Sequence, residues 1–581
     1  MSDAVEDVIE MARAWASADP DPATADELTR LVNEGAVDAL KERMTPPLAF
    51  GTAGLRAKVG AGSARMNRAV VRRTTRGLAD FLASRGGGVR NLPVVVGFDA
   101  RPESRRFALD VVGVLAAAHV PVRYFDEPVP TPLVAYAARV HAAQAAVVIT
   151  ASHNPRGDNG YKLYLEDAVQ LVSPHDRAIE RAIAHVGPAN LVPFVEVEGG
   201  VNELPERVDV AKLELEKMLS RYVAEITAEL GAPLGPSPLR IAYTPLHGVG
   251  LRFTRPALES SGFGDLRPVP EQAEPDGAFP TTPFPNPEES GALDLALAFA
   301  ASENADILLA HDPDADRLAV AVPTPSGRFR RLSGNELGAL LTEARLEELR
   351  PGAKGLVLSS VVTTPLIGDI ARAHGVRFET TLTGFKWLWT VARQLERDEG
   401  LRFVSACEEA LGYSMTRAVR DKDGISAALL TLRLAERCRR QNESLLDLLH
   451  RMERRYGVWA SVQRSVTLPG LEGSARIAKA VESAASEPPA ELSGLRVVAV
   501  RDYREGSRTR PVNLPPADLV ELTLEHGRVL VRPSGTEPKL KLYVDLHAEV
   551  PDNQAAGTIE EEVGSRARDV AAALLEKLGL L

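Results

Sequence analysis

The chain has few of the features that mark secreted, membrane or nucleic-acid-binding proteins. It contains only two cysteines, Cys407 and Cys438, which are too few for a disulfide framework and are typical of a reducing cytoplasm. No apolar stretch approaches the roughly 20 residues that a membrane helix needs, and the acidic start MSDAVEDVIEMARAW lacks the charge pattern of a signal peptide. The net charge of −11 does not favour nucleic-acid binding. We therefore expect a cytoplasmic protein, monomeric or a small homo-oligomer, that binds neither membranes nor nucleic acid.

The length of the chain predicts several domains. Its 581 residues are too many for one hydrophobic core and correspond to about three to five domains of ordinary size. After a polar helical start, strand-like and helix-like segments alternate, which predicts successive α/β units. The last region indicates an α+β domain, because two strands flank a loop and an amphipathic helix follows. Polar or Gly/Pro-bearing stretches predict domains at 1–206, 207–324, 325–457 and 458–581.

The segment TASHNP follows the apolar run of residues 145–149. That run predicts a buried strand, so Ser152 and His153 would lie in the loop at its carboxyl end, the edge at which open α/β sheets bind ligands. The next residues, RGDNG, suit a loop whose backbone approaches a ligand closely, and Lys162 supplies a cation near the same site. Alone, this motif could equally be a polar turn.

A second polar loop, HDPDADR, lies between two predicted strands. Its carboxylates Asp312, Asp314 and Asp316 alternate, and Pro313 argues against a helix, so an extended or looped backbone would turn them to one side. Three converging carboxylates repel one another unless a cation holds them, and all-oxygen ligands favour Mg²⁺ before Mn²⁺ or Ca²⁺. Arg317, directly after the acids, would suit a metal site that also handles phosphate.

Two other structures could contain a similar run of acidic residues. An EF-hand calcium loop needs glycine at its sixth position and glutamate at its twelfth. Counted from Asp312, this chain has Arg317 and Pro323 at those positions, so an EF-hand is excluded. A solvated acidic turn is the simple structural alternative.

Four further segments carry groups suited to a phosphorylated ligand. Near the C-terminus, RPSGTEP offers a guanidinium, two hydroxyls and accessible backbone N–H groups for a phosphate. In FGTAGLR, glycines stand beside Arg56. The segments TGFKW and CEEALGY follow short apolar runs and could present polar side chains to a small ligand, although the pair Glu408 and Glu409 is more often a solvated helix start.

Together these segments resemble one family. The motifs FGTAGLR, TASHNP, DPDADR, TGFKW, EEALG and RPSGTEP occur in the order found in the α-D-phosphohexomutases, the phosphoglucomutase and phosphomannomutase superfamily. They extend over most of the chain, from residue 50 to about residue 543. Details such as LSGNELGALL and DKDGISAAL resemble the branch that holds bacterial phosphoglucomutases and phosphopentomutases. The resemblance implies three α/β units with mixed sheets and a C-terminal α+β domain around a central active-site cleft.

The resemblance also implies an activity. It implies interconversion of glucose 1-phosphate and glucose 6-phosphate through a phosphorylated Ser152 and a bound glucose 1,6-bisphosphate, which would also serve as activator. Mg²⁺ would bridge the phosphoserine to Asp312, Asp314 and Asp316. The partners of the protein would then be small sugar phosphates.

Further residues take roles from the same resemblance. Arg56 and Arg317 would stabilise charge on the transferring phosphoryl group. Lys162 would transfer a proton, and His153 would help to orient the serine. The residues expected to bind the sugar and its phosphate are Thr383, Gly384, Lys386, Glu409, Arg532, Ser534, Gly535 and Thr536.

The sugar loop departs from the better-known hexose pattern. Where family members often have Glu-x-Ser-Gly-His, this chain has Leu411 in place of the serine and Tyr413 in place of the histidine. The first change would remove a hydroxyl that binds sugar, and the second would replace a possible proton donor. A phosphopentomutase or a phosphomannomutase is therefore the alternative assignment.

Two other classes of protein use part of the same residue set. A metal-dependent phosphatase would need Ser152 and the aspartates but no second phosphate loop, and it would release inorganic phosphate. A sugar-phosphate sensor without catalysis would keep Arg532 but could lose the serine or the aspartates. All of these residues are present, which favours the mutase.

Overall fold

The computed structural model describes residues 3–49, 54–85, 92–197, 209–231, 235–468, 470–511, 513–534 and 539–581. The chain forms two compact units. The first consists of Met1–Leu332 and Gly412–Leu432, and the second consists of Ser333–Leu411 and Arg433–Leu581.

Three helices begin the first unit, as the polar helical pattern of the sequence predicts. They are α1 (Asp3–Ala18), α2 (Pro22–Asn33) and α3 (Val37–Met44). Helix α2 begins at a proline, and the side chain of Asp21 accepts the N–H of Ala23 at 3.2 Å, which satisfies one of the free donors of the first turn. The apolar faces of the three helices pack into a core of their own, with Ala12, Leu28 and Leu40 fully buried.

The first sheet of this unit is mixed. Its strands are β1 (Leu55–Lys58), β2 (Val94–Phe98), β3 (Val122–Tyr124), β4 (Ala145–Ile149), β5 (Asp158–Leu165), β6 (Val169–Gln170) and β7 (Val210–Lys212). The accompanying helices are α4 (Arg68–Ser84), α5 (Ser104–Ala117), α6 (Thr131–Val140), α7 (His175–Ala184) and α8 (Leu215–Leu230). The strand order is β1–β5–β4–β2–β3–β7, with β6 paired to β5. Strands β2 and β4 run parallel, with Phe98 opposite Ile149, so the loops that follow them begin at the same edge.

The second sheet of the first unit is also mixed. It contains β8 (Ile241–Thr244), β9 (Leu266–Pro268), β10 (Ile307–His311), β11 (Leu318–Pro323) and β12 (Phe329–Arg331), with α9 (Gly250–Glu259) and α10 (Asp294–Ser302). The strand order is β12–β11–β10–β8–β9. Strand β10 is parallel to β8 and antiparallel to β11, and the aspartate loop joins β10 to β11.

The second unit begins with a parallel α/β layer. Its elements are α11 (Gly334–Glu347), β13 (Gly355–Ser360), α12 (Leu366–Ala373), β14 (Arg377–Thr381), α13 (Phe385–Glu399) and β15 (Arg402–Glu408). Strand β13 lies between β14 and β15 and is parallel to both. In sequence, β16 (Gly412–Ser414), α14 (Gly424–Arg440) and α15 (Leu445–Tyr456) follow.

The C-terminal part of the second unit is an antiparallel sheet with two helices. Its elements are β17 (Val458–Thr467), α16 (Gly470–Ser486), β18 (Glu491–Leu492), β19 (Leu495–Asp502), β20 (Val520–Leu524), β21 (Gly527–Pro533), β22 (Lys539–Ala548) and α17 (Ala556–Lys577). The strand order is β17–β22–β21–β20–β19–β18. Alternate residues of the strands, such as Val529 and Val531, form one core with Val481 of α16 and Leu574 of α17.

The predicted fold class is confirmed, because α/β layers with mixed sheets precede an α+β C-terminal region. The domain boundaries stay predictions. None of the described helices is both long and apolar enough to cross a lipid bilayer.

One local prediction is wrong. Asp158, Asn159 and Gly160 were expected in the loop after the serine, but β5 already begins at Asp158. Gly160 pairs with Arg56 of β1, and a β-carbon on it would lie 2.6 Å from the carbonyl oxygens of Leu55 and Thr150. This glycine therefore lets strands pack closely.

Candidate active site

Ser152 lies in a tight turn directly after β4. The backbone N–H of Ser152 donates to the Thr150 hydroxyl at 2.8 Å, and Ser152 has a φ of +53°, an uncommon left-handed conformation for a residue with a side chain. Its side chain is almost fully buried. Such a turn is held in place by its surroundings and fixes the direction of the hydroxyl.

Arg101, which the sequence analysis missed, holds the backbone of this turn. Its guanidinium donates to the carbonyl oxygens of Ser152 (2.7 Å), Asn154 (2.5 Å), Pro155 (2.8 Å) and Asp158 (3.0 Å). The buried carboxylate of Asp99 lies 3.4 Å from its Nε atom. Arg101 follows the carboxyl end of β2 in the run VVVGFDAR. The signal that identified Ser152, a polar residue just after a buried strand, could therefore also have identified Arg101.

The three aspartates converge in the loop after β10, as their alternation predicts. Asp312, Asp314 and Asp316 are at most 1% exposed, and one oxygen from each lies within 4.8 Å of the others. The loop is fixed by Thr131 at the start of α6, another residue that the sequence analysis missed. Its N–H donates to the Asp314 carbonyl at 3.1 Å, and its hydroxyl donates to Asp314 Oδ2 at 2.6 Å.

The serine and the first aspartate are in direct contact. Ser152 Oγ donates to Asp312 Oδ2 at 2.8 Å, and His153 Nδ1 lies 3.2 Å from the same Oγ. Burial, together with Arg317 and Arg56, holds the pKa of His153 well below its usual 6.5, so the imidazole is neutral at pH 7. Because the only hydroxyl proton goes to Asp312, Nδ1 is the donor in the contact with serine. His153 therefore donates to the hydroxyl oxygen of Ser152, and its role in orienting the serine stays a prediction.

Lys162 lies among the other two carboxylates. Its Nζ atom is 2.7 Å from Asp314 Oδ2 and 2.9 Å from Asp316 Oδ2. Burial by itself would lower the pKa of Lys162, but the two carboxylates outweigh burial and raise it. The side chain is therefore an ammonium ion at neutral pH. A second lysine that the sequence analysis missed, Lys422, has its Nζ atom 3.3 Å from Asp316 Oδ2.

The two arginines that were predicted to stabilise the phosphoryl group have different hydrogen-bond partners. Arg56 Nη1 donates to Asn154 Oδ1 in the serine loop at 3.3 Å. Arg317 contacts Asp312 through its backbone N–H at 3.1 Å, whereas its guanidinium donates to Glu288 at 3.0 Å. The structure therefore brings Arg56 to the serine loop, and it pairs the Arg317 side chain with an acid.

The aspartate site fits a hard divalent cation. Asp314 Oδ1 and Asp316 Oδ1 are buried, and neither has a hydrogen-bond partner among the residues that the structure describes. A buried carboxylate oxygen without a donor is costly unless a cation neutralises it. Carboxylate oxygens are also the ligands that Mg²⁺ prefers. The three aspartates could therefore hold Mg²⁺ next to the serine hydroxyl.

The second unit brings two of the predicted binding segments together. Arg532, in β21, donates from Nη1 to the hydroxyl of Thr383 at 3.1 Å. Ser534 follows β21 directly, and its N–H donates to the Lys539 carbonyl at 2.7 Å. Gly535 and Thr536, and residues 50–53 of the FGTAGLR motif, lie outside the described residues.

Glu408 joins the two predicted sugar segments, whereas Glu409 bonds to the end of β13. Gly384 donates its N–H to Glu408 Oε1 at 2.6 Å, and Glu409 Oε2 accepts a hydrogen bond from Ser360 at 3.3 Å. Lys386 is largely buried at the start of α13. The expectation of a solvated helix start at the glutamate pair is wrong, because β15 ends at Glu408 and leaves Glu409 in the turn that follows.

Neither substituted residue of the sugar loop is exposed. Leu411 is 4% exposed and Tyr413 is 0% exposed. Leu411 has a φ of +59°, and its apolar side chain is packed inside the protein. The absence of a serine hydroxyl at this position therefore does not leave an open gap in a binding surface.

Four successive parts of the chain match known protein domains. Four domain models of one family, described as phosphoglucomutase/phosphomannomutase, match the chain: α/β/α domain I at residues 47–189, domain II at 220–327, domain III at 333–456 and the C-terminal domain at 477–564. A protein of Schizosaccharomyces pombe named "Probable phosphoribomutase" is 37% identical over 556 residues, which is 92% of this chain and 93% of that protein. The chain belongs to the phosphoglucomutase/phosphomannomutase family.

Other members of this family differ in the sugar that they are named for. A phosphopentomutase of Mus musculus is 35% identical and covers 94% of this chain and 92% of its own length. A phosphoglucomutase of Staphylococcus epidermidis is 32% identical and covers 87% of this chain and 92% of its own length. The predicted family and enzyme class are confirmed: the chain is a phosphomutase, an isomerase that transfers a phosphoryl group within its substrate.

A solved structure supports the fold. The family protein from Burkholderia thailandensis has a TM-score of 0.65 and 18% sequence identity, and the match covers 92% of this chain and 97% of that one. At this identity the likeness concerns the fold alone.

Proposed function

We propose that this phosphomutase interconverts glucose 1-phosphate and glucose 6-phosphate through a phosphoserine at Ser152. The observation that carries the proposal is the contact of Ser152 Oγ with Asp312, 2.8 Å away, in a buried group of three carboxylates. A serine in this position can carry a phosphoryl group next to a divalent cation. Glucose 1,6-bisphosphate would be the bound intermediate and, when added, the activator.

The phosphoryl transfer exchanges one bond to phosphorus and one proton. As a sugar oxygen bonds to phosphorus, the bond from phosphorus to Ser152 Oγ breaks. The sugar hydroxyl loses a proton and the serine oxygen gains one. Lys162, a buried ammonium ion of the site, is our candidate for this exchange: it would donate a proton to the serine oxygen as the bond to phosphorus breaks and take up the proton that the sugar hydroxyl loses. His153 would hold the serine, and Arg56 would stabilise charge on the phosphoryl oxygens. The bisphosphate then turns end for end and returns its other phosphoryl group to the serine.

The three aspartates would hold Mg²⁺ in this reaction. When bound, the ion would neutralise charge on the transferring phosphoryl group. Asp312, Asp314 and Asp316 are the proposed ligands, with an oxygen of the phosphorylated Ser152. Two of the buried carboxylate oxygens have no hydrogen-bond donor within the described part of the chain, which supports this assignment.

Residues of the predicted sugar and phosphate segments would bind the substrate. Arg532 and Ser534, with Gly535 and Thr536, would hold the phosphate that does not react, because a guanidinium and backbone N–H groups match phosphate oxygens. Thr383, Gly384, Lys386 and Glu409 would contact the sugar.

A pentose phosphate is the second candidate substrate. Two relatives, 37% and 35% identical, are named phosphoribomutase and phosphopentomutase, whereas a relative named phosphoglucomutase is 32% identical. These sequence identities are too similar to one another to decide between the two substrates. Leu411 has no hydroxyl to offer to a sugar, and a lost hydrogen bond is worth on the order of 1 kcal/mol. We therefore expect activity on more than one sugar phosphate, with glucose leading.

The test is a comparison of kcat/KM for the 1-phosphates of glucose, mannose, ribose and deoxyribose, each with its own bisphosphate. A pentose phosphate that exceeds glucose 1-phosphate by more than about tenfold, or ~1.4 kcal/mol, would make the enzyme a phosphopentomutase. Product sugar phosphate and inorganic phosphate are measured together, because a phosphatase would release the latter.

The phosphoryl carrier is tested in the same assays. Ser152→Ala should abolish turnover, while Ser302→Ala, an exposed serine of α10, should leave turnover unchanged. Phosphate found on another residue, or full activity of Ser152→Ala, would contradict the proposal.

A further inference from the structure

The second unit contains a cluster of metal-ligating side chains outside the site described above. His450 and Glu453 belong to α15, and Glu560 belongs to α17. One ligand atom from each lies within 4.8 Å of the other two. The set combines an imidazole nitrogen with two carboxylate oxygens, and the two helices that supply it are far apart in sequence.

The spacing of the α15 residues places them together. His450 and Glu453 are three residues apart, so they lie on one face of the helix. Glu453 continues the buried stripe of Leu449 and Met452 and is only 6% exposed. Its carboxylate therefore lies inside the protein, on the helix face that also carries the imidazole of His450.

Helix α17 supplies the third side chain of the cluster. A β-carbon on Gly557 would lie 3.7 Å from His450 Nε2, so this nitrogen faces the first turn of α17. Glu560 is one turn further along the same helix. Arg454 Nη2 also donates to the carbonyl of Gln554, just before α17, at 3.2 Å, which holds the two segments together.

We propose that His450, Glu453 and Glu560 form a second metal site, which binds Zn²⁺ or a similar transition-metal ion. Zn²⁺ bonds to His nitrogen and carboxylate oxygen are about 2.0–2.2 Å long, so ligand atoms in a tetrahedral site are roughly 3.4 Å apart. Side-chain shifts of about 1 Å would bring the three atoms to that separation. Two carboxylates this close repel each other, and a divalent ion removes the repulsion.

The donor sets distinguish the two sites. The aspartate site offers oxygen alone and suits Mg²⁺, whereas an imidazole favours transition metals. The ion would tie the last helix of the domain III match, residues 333–456, to a helix of the C-terminal domain match, residues 477–564. It would therefore act as a structural clamp within the second unit.

The test uses the full chain, stripped of metal and then kept in millimolar Mg²⁺ so that the oxygen site is filled. Zn²⁺ is titrated by calorimetry, and the melting temperature is recorded with and without it. The unaltered chain should bind one Zn²⁺ per molecule and melt at a higher temperature with Zn²⁺. His450→Ala and Glu560→Gln should each lose the bound ion and the shift. Glu561→Gln, an exposed neighbour with the same charge change, should retain both.

Several results would overturn the proposal: no Zn²⁺ bound by the unaltered chain, the same stoichiometry in the His450 and Glu560 variants, or equal loss in Glu561→Gln. If the cluster variants fail to fold, crystals of the unaltered chain soaked in Zn²⁺ decide the question by anomalous scattering at the zinc edge. A peak between His450 and Glu560 supports the site, and the absence of a peak there refutes it.

Discussion

Replacing Arg101 by lysine should slow catalysis although Arg101 carries no chemistry. The guanidinium joins four backbone carbonyls of the serine loop at 2.5–3.0 Å. Lysine keeps the positive charge opposite Asp99, but its ammonium has only three donors and radiates them from one point. Arg101→Lys must therefore leave at least one of these carbonyls without its partner.

The size of the effect follows from these contacts. A hydrogen bond to a charged group is worth about 1.5–3 kcal/mol, so the loss of one bond should lower the free energy of unfolding by about 1.5–3 kcal/mol. A domain is typically stable by about 5–15 kcal/mol, so the variant should still fold. A loop displaced by about 1 Å can cost about 100-fold in rate. We expect kcat to fall on the order of 100-fold, with KM changed by less than about threefold.

The assay measures kcat and KM with glucose 1-phosphate and its bisphosphate, alongside urea unfolding. Arg105→Lys is the matched control, because Arg105 is exposed on the adjoining helix α5. The two variants carry the same substitution, but Arg101 is buried and donates to the serine loop, whereas Arg105 is exposed on the surface of α5. Wild-type kcat in Arg101→Lys, or the same loss in both variants, would refute the reasoning. A rise in KM alone would show that Arg101 acts on substrate binding.

Three further outcomes are expected. Exhaustive chelation should stop turnover and added Mg²⁺ should restore it, and undiminished activity in the chelator would exclude the aspartate metal site. Arg532→Ala should raise KM, with a loss in kcat/KM equivalent to roughly 1.5–3 kcal/mol; unchanged kinetics would show that the phosphate binds elsewhere. Gly160→Ala should destabilise the first unit by about 1–3 kcal/mol in urea, because its β-carbon would meet two carbonyl oxygens at 2.6 Å, whereas Gly157→Ala meets nothing within 4 Å and should be neutral.

Much of the candidate site was predictable because its residues follow buried strands. The apolar runs before Ser152 and Asp312 form β4 and β10, and alternation in the chain was enough to predict that the three aspartates converge. These are local properties. A run of β-branched and aliphatic residues predicts a strand without reference to the rest of the chain, and the polar residues at its end are then candidates for the ligand-binding edge.

The contacts between distant segments depended on tertiary structure. Ser152 meets Asp312 across 160 residues of sequence, and Lys162 lies between Asp314 and Asp316 because β5 runs antiparallel to β4, with Lys162 opposite Val148. Arg101 was missed because its role is to bind four carbonyl oxygens, and a carbonyl has no signature in the sequence.

The sugar loop is a second place where the sequence alone did not predict burial and secondary structure. From sequence, the change of serine to Leu411 removes a hydroxyl, and the pair Glu408 and Glu409 predicts a helix start. In the structure, Leu411 is packed inside and β15 extends through Glu408. The amino-acid sequence by itself determined the family, the strands and the groups that carry the chemistry, because these follow from local patterns. Tertiary structure alone decided which of these groups are buried and which contact one another, because burial and pairing depend on how elements distant in sequence pack together.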